Sequence, residues 1–218
     1  MTEKISKLPG MRRHPRQARS QERVNQILDV AEQMFIAEGY NATTTNAIAA
    51  KANVSIGSLY QFFPDKEAIV QALTSRYVGV LQQRFDTLHT LETIHSSLSE
   101  YVELIVDAAE QFFKDYPGYH AIFTQVQDAI PELGKIESAA DRQLIQDWAI
   151  VLSKYYPGLK PADYEAIAFT LVNAIGTLLW LSLSQQGSFR QRLVAETKRM
   201  MLGYLQSYFP IDKVPPNK

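Results

Sequence analysis

The 218-residue sequence predicts an all-α fold. Apolar residues recur at spacings of three and four along most of the chain, as they do on one face of a helix. Capping residues, glycines and prolines separate these periodic segments, and no segment alternates polar and apolar residues as a half-buried strand does. We therefore expect about nine helices, three of them in a small N-terminal group and the others in a larger C-terminal part.

The first helix is expected to begin after Ser20, a residue type that caps helix N-termini, and to end at Gly39. Its spacing places one apolar stripe on this helix, made of Val24, Ile27, Leu28, Ala31, Met34 and Phe35. A second helix should start near Thr45, because threonine hydroxyls precede a run of helix-forming residues there.

The turn after the second helix contains Asn53, which tolerates the left-handed backbone conformation. Ser55 should cap a third helix over residues 56–62 or 56–63, and Asp65 should cap a fourth. The second and third helices can share a small core formed by Ala49, Val54, Leu59, Phe62 and Phe63.

Two short helices joined by a tight turn are typical of helix-turn-helix DNA readers, whose second helix enters the major groove. Outside the shared core, the third helix carries small and hydrogen-bonding residues that suit close approach to DNA: Ser55, Gly57, Ser58, Tyr60 and Gln61. The alternative is an ordinary helical hairpin with a solvated polar face.

A specific series of residues runs through this region: Gly39-Tyr40, Thr43-Thr44, Ile48-Ala49, Ala52-Asn53-Val54-Ser55, Gly57-Ser58-Leu59-Tyr60, Phe63 and Lys66-Glu67. It resembles the DNA-binding domain of TetR/AcrR-type transcriptional regulators. Two residues depart from the family pattern. Asn53 stands where glycine is usual, and Ile56 where a polar or basic residue is frequent, so that Ile56 could contact only a thymine methyl group or no base at all.

The resemblance implies that the helix-turn-helix residues contact DNA, namely Thr44, Thr45, Ser55, Ile56, Gly57, Ser58, Tyr60, Gln61 and Lys66. Lys66 lies in the first turn of the fourth helix, where its ammonium group and the helix N-terminus could both face a phosphate. The alternative for Lys66 is an ordinary surface lysine.

Positive charge is concentrated at the N-terminus. Residues 1–84 contain eleven Lys and Arg against seven Asp and Glu, whereas residues 85–218 contain eleven against sixteen. We expect residues 1–19 to form a flexible basic arm that gains DNA affinity through counterion release, with Arg16 and Arg19 among its DNA contacts.

The composition also limits the class of protein. Hydrophobic residues make up 46% of the chain and charged residues 21%, which is a globular composition. Cysteine is absent and no secretory signal precedes the first helix, so a cytoplasmic location is expected. The glycines form no phosphate-binding or nucleophile motif. The four histidines are scattered along the chain: His14, His89, His95 and His120. We therefore expect neither catalysis nor a metal or other cofactor.

The remaining chain is predicted to be helical throughout. The fourth helix should run from Asp65 to Leu88 and connect the two parts of the protein. Later helices are expected over residues 93–116, 131–156, 161–186 and 189–208, with a short segment over 119–130. This divides the chain into the arm, a helix-turn-helix domain over 20–66, a connecting helix over 67–88, a C-terminal domain over 89–210 and a tail over 211–218.

The helix after Pro161 is uncharged from Ala166 to Phe189, which is long enough to raise a transmembrane alternative. No basic cluster flanks it, and we instead expect one face in the core and another against a second copy of the chain. The resemblance implies a dimer through the last two helices, and the predicted interface residues are Leu178, Leu181, Leu193, Thr197, Met201 and Leu205.

The resemblance also implies a small-molecule effector in the C-terminal domain, and the expected ligand is mostly apolar. Aromatic and polar residues on its helices are the candidate ligand contacts, although most could be core: Tyr101, Ile105, Phe112, Phe123, Trp148, Phe169, Asn173 and Thr177. The predicted protein is a homodimeric repressor that the ligand releases from a pseudo-palindromic operator. The alternatives are an activator of the same fold, or a helical enzyme or carrier that binds small molecules.

Overall fold

The computed structural model describes residues 9–12, 17–89, 97–126 and 130–209, with the side chains of Phe123 and Thr124 left out. Over these residues the chain is all-α, as predicted, and no strand occurs among them. Its helices are α1 (Ala18–Glu38), α2 (Thr45–Lys51), α3 (Ile56–Phe62), α4 (Lys66–Leu88), α5 (Leu98–Asp115), α6 (Pro117–Val126), α7 (Pro131–Tyr155), α8 (Pro161–Ser182) and α9 (Gly187–Tyr208).

The chain forms two compact units. The first comprises Met1–Val80 and Tyr116–Ala139, and the second comprises Leu81–Asp115 and Ala140–Lys218. Helices α4 and α7 each continue from one unit into the other. The sequence predicts one C-terminal domain over residues 89–210, whereas α6 and the first residues of α7 pack with the N-terminal unit.

In the first unit, the predicted apolar stripe of α1 is buried, and α2 and α6 both pack against this helix. Helix α1 begins at Ala18 with Gln17 at the N-cap, so the predicted cap at Ser20 is wrong. Arg76 of α4 joins α1 through ion pairs of 2.5 Å to Asp29 and 2.5 Å to Glu32.

In the second unit, α9 packs along α5 and α8. Only one face of α8 is buried there, and it contributes Tyr164, Ile167, Ala168, Leu171, Ile175 and Leu179 to the core. Helix α8 is the one helix among the described residues that is long and apolar enough to cross a membrane. Of its apolar 18-residue segment, 33% is buried inside the protein. One such helix is weak evidence for a membrane protein.

Several predicted boundaries are corrected by local geometry. Helix α8 ends at Ser182 and not near Gln186, because the chain turns there and the Leu183 N–H donates to the Trp180 carbonyl instead of continuing the α-helical ladder. Helix α9 begins at Gly187, whose positive φ of 57° suits glycine. Helix α5 begins at Leu98, and the predicted start at Thr93 lies outside the described residues.

Candidate nucleic-acid interface

The start of α2 is fixed by a side-chain cap. The Thr44 hydroxyl accepts the Ala47 N–H at 3.1 Å, which satisfies one of the unpaired donors of the first turn. At the end of α2, Asn53 has φ 52° and is the one non-glycine residue with positive φ in the described chain. The predicted left-handed turn at Asn53 is therefore confirmed.

Ser55 caps α3 in the same way. Its hydroxyl oxygen accepts the Ser58 N–H at 3.1 Å and its O–H donates to the Ser58 hydroxyl at 2.8 Å. The predicted core of the α2–α3 pair is also observed. Ala49, Leu59, Phe62 and Phe63 are buried, and Val54 is half-buried.

The outward face of α3 carries the residues expected to meet DNA. Ile56 and Tyr60 are 37% and 39% exposed, which is high for apolar and aromatic side chains, and Gln61 is also exposed. A Cβ atom built on Gly57 would meet no heavy atom within 4 Å. Across the pair, the Thr45 and Tyr60 hydroxyls lie 3.1 Å apart and hydrogen-bond.

Lys66 is placed differently from expectation. Its ammonium group donates to the Tyr40 carbonyl at 2.6 Å and to the Thr43 carbonyl at 2.8 Å, and it lies 4.0 Å from the centre of the Tyr40 ring. Burial lowers the pKa of Lys66. These carbonyls hold the side chain on the turn before α2, and the phosphate contact of Lys66 stays a prediction.

Part of the predicted flexible arm has defined contacts. The backbone N–H of Arg12 donates to the Phe62 carbonyl at 2.9 Å, which holds this segment at the end of α3. Arg19 is exposed in the first turn of α1, and Arg16 lies outside the described residues. The N-terminal segment therefore approaches the candidate DNA-binding helix at Arg12.

Comparison with known families identifies both parts of the chain. Residues 27–73 match the model described as bacterial regulatory proteins of the tetR family. Residues 97–205 match the model described as the tetracyclin repressor-like C-terminal domain. The chain belongs to the TetR family. The predicted membership is thus confirmed, and TetR-family proteins are helix-turn-helix transcriptional regulators that bind DNA.

Curated relatives of this TetR-family chain include two uncharacterized HTH-type transcriptional regulators of Bacillus subtilis (strain 168). YvkB is 46% identical over 107 residues, which cover 47% of this chain and 57% of YvkB. YhgD is 28% identical over 166 residues, which cover 71% of this chain and 81% of YhgD. The chain thus spans little more than half the length of YvkB.

Solved structures share the fold. A TetR-family transcriptional regulator from Streptomyces coelicolor is 23% identical, with a TM-score of 0.61 over 85% of this chain and 99% of that chain. At this identity the likeness supports the fold alone.

The candidate effector residues of the TetR-family C-terminal domain fall into two groups. Tyr101, Ile105 and Trp148 lie in the core of the second unit, and Phe112 is also buried. Phe169, Asn173 and Thr177 are exposed on the opposite face of α8. The expectation that Asn173 and Thr177 are buried polar groups is corrected, because the buried stripe of α8 runs through other positions. The side chain of Phe123 is not described.

The candidate dimer residues separate in a similar way. Leu181 is 56% exposed on α8, and Leu178 and Leu193 are half-buried. Thr197, Met201 and Leu205 are buried within the chain itself, because their stripe of α9 packs on α5 and α8. The assignment of these three residues to an intersubunit surface is corrected.

Three features were not predicted from the sequence. The first is the Lys66 contact with the turn at Tyr40, and the second is a hydrogen bond of 2.8 Å from the Tyr40 N–H to Oε1 of Gln125 on α6. The third is the buried indole nitrogen of Trp148, which has no hydrogen-bond partner among the residues that the structure describes. Each depends on residues far apart in the chain, so no local pattern could have revealed it.

A groove of about 640 Å³ lies between α5 and α9. None of the predicted ligand residues with described side chains lines it. Its wall is charged on both helices, with Glu103 and Asp107 bound by Lys198 across the groove. These ion pairs join α5 to α9, and the groove between the two helices is not an apolar pocket.

Proposed function

We propose that this TetR-family regulator is a homodimeric, cytoplasmic repressor that a small, mostly apolar ligand releases from a pseudo-palindromic operator. The observation that carries DNA reading is the outward face of α3, where exposed Ile56, Tyr60 and Gln61 surround an unobstructed Gly57. Glycine in a helix is unfavourable by about 1 kcal/mol relative to alanine. No side chain among the described residues fills the space beside Gly57, and we infer that this glycine allows DNA to approach closely.

Base preference should depend on the polar side chains of this face. Gln61 can form a bidentate contact with adenine, and Ser58 can bond to several bases. Tyr60 is held by its bond to Thr45, which suits a fixed contact with the DNA backbone. Ile56 can recognise a thymine methyl group.

The support for a dimer is the exposed face of α8. Phe169 and Leu181 are 57% and 56% exposed, and the exposed residues between them are uncharged: Thr170, Asn173, Gly176 and Thr177. Exposed apolar surface of this kind favours association. A second copy would cover this face and would place two α3 helices on the half-sites of one operator.

The support for an effector site is a buried polar group in the core of the second unit. Trp148 has a buried indole N–H without an acceptor, and a buried donor of this kind is stabilised by a ligand or water that accepts from it. Tyr101 and Ile105 belong to the same core. Helix α4 follows α3 in the chain and continues into this unit, and we expect ligand binding to act on the DNA-binding helices through it.

The test is selection of bound duplexes from random DNA, followed by gel-shift titration of the selected sequence. The protein should enrich a pseudo-palindrome and bind it more tightly than a scrambled duplex. Gln61→Ala should relax base preference at one position of each half-site, with a loss of about 1–3 kcal/mol on the preferred base. Tyr60→Ala should weaken binding about evenly across sequences. Failure to enrich any motif would contradict DNA reading.

An activator of the same fold would bind the same type of operator. Mapping the selected sequence against promoters distinguishes the two, since a repressor site overlaps the promoter whereas an activator site lies upstream. The enzyme or carrier alternative predicts small-molecule turnover or binding without retention of the selected duplex.

A further inference from the structure

The turn between α1 and α2 is held from two other helices. Within the turn, the Thr43 hydroxyl donates to the Gly39 carbonyl at 2.8 Å, and Thr43 is 1% exposed. The next residue, Thr44, is the N-cap of α2. The shape of residues 39–43 therefore sets where α2 begins and how the helix-turn-helix pair is presented.

Lys66 holds this turn from α4. Its two hydrogen bonds end on the carbonyls of Tyr40 and Thr43, and the face of the Tyr40 ring covers the ammonium group. A lysine ammonium has three N–H donors, and the two carbonyls accept from two of them. Hydrogen bonds from a charged donor are stronger than neutral ones. The lysine thus fixes the backbone at both ends of the segment that leads into α2.

Gln125 holds the same turn from α6. Its side-chain oxygen accepts the Tyr40 N–H at 2.8 Å, and its side-chain nitrogen donates to the Ala121 carbonyl at 2.9 Å. The amide is therefore oriented by its own helix before it meets the turn. Gln125 lies within residues 97–205, which match the C-terminal family model, yet it bonds to the N-terminal helix-turn-helix region.

We propose that the turn at residues 39–43 controls DNA affinity, and that Lys66 and Gln125 are positioning residues that hold it without touching DNA. The proposal rests on the proposed DNA-binding function. It assigns to Gln125 a direct link from a residue of the C-terminal family region to the DNA-binding helices. In this proposal, the Lys66 ammonium group binds backbone carbonyls and does not contact a DNA phosphate.

The test compares Lys66→Arg with Lys66→Met, using the duplex selected from random DNA as the probe. A phosphate contact would tolerate arginine, because the charge is kept. A positioning role would not, because two carbonyls converge on one nitrogen and a planar guanidinium cannot reproduce that geometry. We expect both variants to bind roughly threefold to thirtyfold more weakly, the range for residues that act without contacting the ligand.

Salt dependence separates the two roles further. Removal of a phosphate contact lowers the slope of log affinity against log salt by about one. For Lys66→Met we expect an unchanged slope, whereas Arg19→Ala, at a predicted DNA contact of the basic arm, should lower the slope and serves as the comparison. Wild-type affinity in Lys66→Arg, or a reduced slope in Lys66→Met, would overturn the proposal. Each titration is made well below the melting temperature of the variant, so that the folded protein is measured.

Gln125→Leu tests the contact from α6, with Gln146→Leu, at an exposed glutamine of α7, as the matched control. Gln125→Leu should weaken binding roughly threefold without a change in salt slope, and Gln146→Leu should not. In the absence of DNA, amide hydrogen exchange at Tyr40 should accelerate in Gln125→Leu. Wild-type DNA affinity despite faster exchange would overturn the link. If the unaltered protein binds no selected duplex, the proposed function itself fails.

Discussion

At the residue scale, a glycine can be explained by its backbone conformation or by the neighbours that leave no room for a side chain. A glycine with positive φ is explained by its backbone, as at Gly39 and Gly187. A glycine packed closely against neighbours is explained by its contacts. Gly57 has neither explanation, as is also true of Gly79 and Gly134, but Gly57 alone of these three lies on the proposed DNA-reading helix α3.

Gly57→Ala should therefore have opposite effects on folding and on DNA binding. Alanine raises helix propensity, which should increase the free energy of unfolding by up to about 1 kcal/mol. The added methyl group should weaken operator binding where DNA approaches the helix. The control is Gly79→Ala on α4, which is equally unobstructed. Urea unfolding and gel-shift titration measure the two effects, and unchanged DNA affinity in Gly57→Ala would contradict close approach at this position.

Lys66 illustrates why residue identity did not determine residue role. The sequence placed a lysine in the first turn of α4, a position that suits a phosphate contact. The structure shows the same side chain bound to two carbonyls that lie 26 and 23 positions earlier in the chain. Because the turn and α4 meet only in the folded chain, the competing partners could not be identified from spacing.

At the element scale, the docking of α6 on α1 depends on a small residue. A Cβ atom on Gly118 would lie 2.5 Å from the Tyr77 hydroxyl and 2.6 Å from the Glu32 carboxylate. Tyr77 is 1% exposed, and the rings of Tyr116 and Tyr119 pack edge-on against it. The tyrosine has no space to retreat.

Gly118→Ala should consequently destabilise the protein by about 1–3 kcal/mol, the usual range for overpacking a filled site. Gly134→Ala on α7 is the matched control, because a Cβ atom there meets no neighbour within 4 Å. The free energies of unfolding in urea provide the comparison. Equal stability of the two variants would show that α6 does not pack on α1 as described.

The end of α4 carries a histidine whose protonation should affect stability. Nδ1 of His89 lies 2.7 Å from the Phe85 carbonyl and Nε2 lies 2.8 Å from the Tyr101 hydroxyl. Burial lowers the pKa of His89, although the hydrogen bond to the Phe85 carbonyl and the charges of Asp86 and Asp147 oppose this shift. A lowered folded pKa means that its stabilising contribution is complete above the unfolded value of about 6.5 and is lost as pH falls through the folded value.

His89→Gln should reduce the loss of stability on acidification from pH 7.5 to pH 5, because glutamine remains neutral. Melting temperatures measured across this range for both proteins give the difference. Burial also lowers the pKa of His120, but this histidine is present in both proteins and cancels in the comparison. Parallel curves for the two proteins would exclude His89 as a source of pH dependence.

At the scale of the whole molecule, assembly depends on surfaces that one chain leaves exposed. The face of α8 that contains Phe169 is uncharged between Phe169 and Leu181, whereas the stripe of α9 first expected at the interface is occupied by the core. The outer face of α8 is therefore the proposed dimer surface, and the half-buried Leu178 and Leu193 remain candidates for it.

Phe169→Glu should dissociate the proposed dimer, since a charge on an apolar contact surface leaves an unpaired buried carboxylate. Ile150→Glu on α7 is the control, because Ile150 is 64% exposed and has no assigned contact with a second copy. Sedimentation velocity should show a monomer for Phe169→Glu and a dimer for Ile150→Glu. A dimeric Phe169→Glu protein would contradict the assignment of this face.

The sequence by itself determined the features that are written locally. Helical periodicity, the threonine cap before α2, the caps at Ser55 and Asp65 and the left-handed turn at Asn53 each depend on a few neighbouring residues and are present in the structure. The cap expected at Ser20 is the exception. The residue series of the helix-turn-helix region also identified the TetR family before any fold was known. These properties need no information about distant parts of the chain.

Only the tertiary structure decided which faces are used and which side chains meet. A stripe such as Thr197, Met201 and Leu205 must be buried, but periodicity does not say whether its partner is the same chain or a second copy. Likewise, α6 joined the N-terminal unit because its packing on α1 and the bond from Gln125 to Tyr40 link residues 85 positions apart. Burial and hydrogen bonding are satisfied by whichever surfaces the folded chain brings together, and local sequence does not specify that choice.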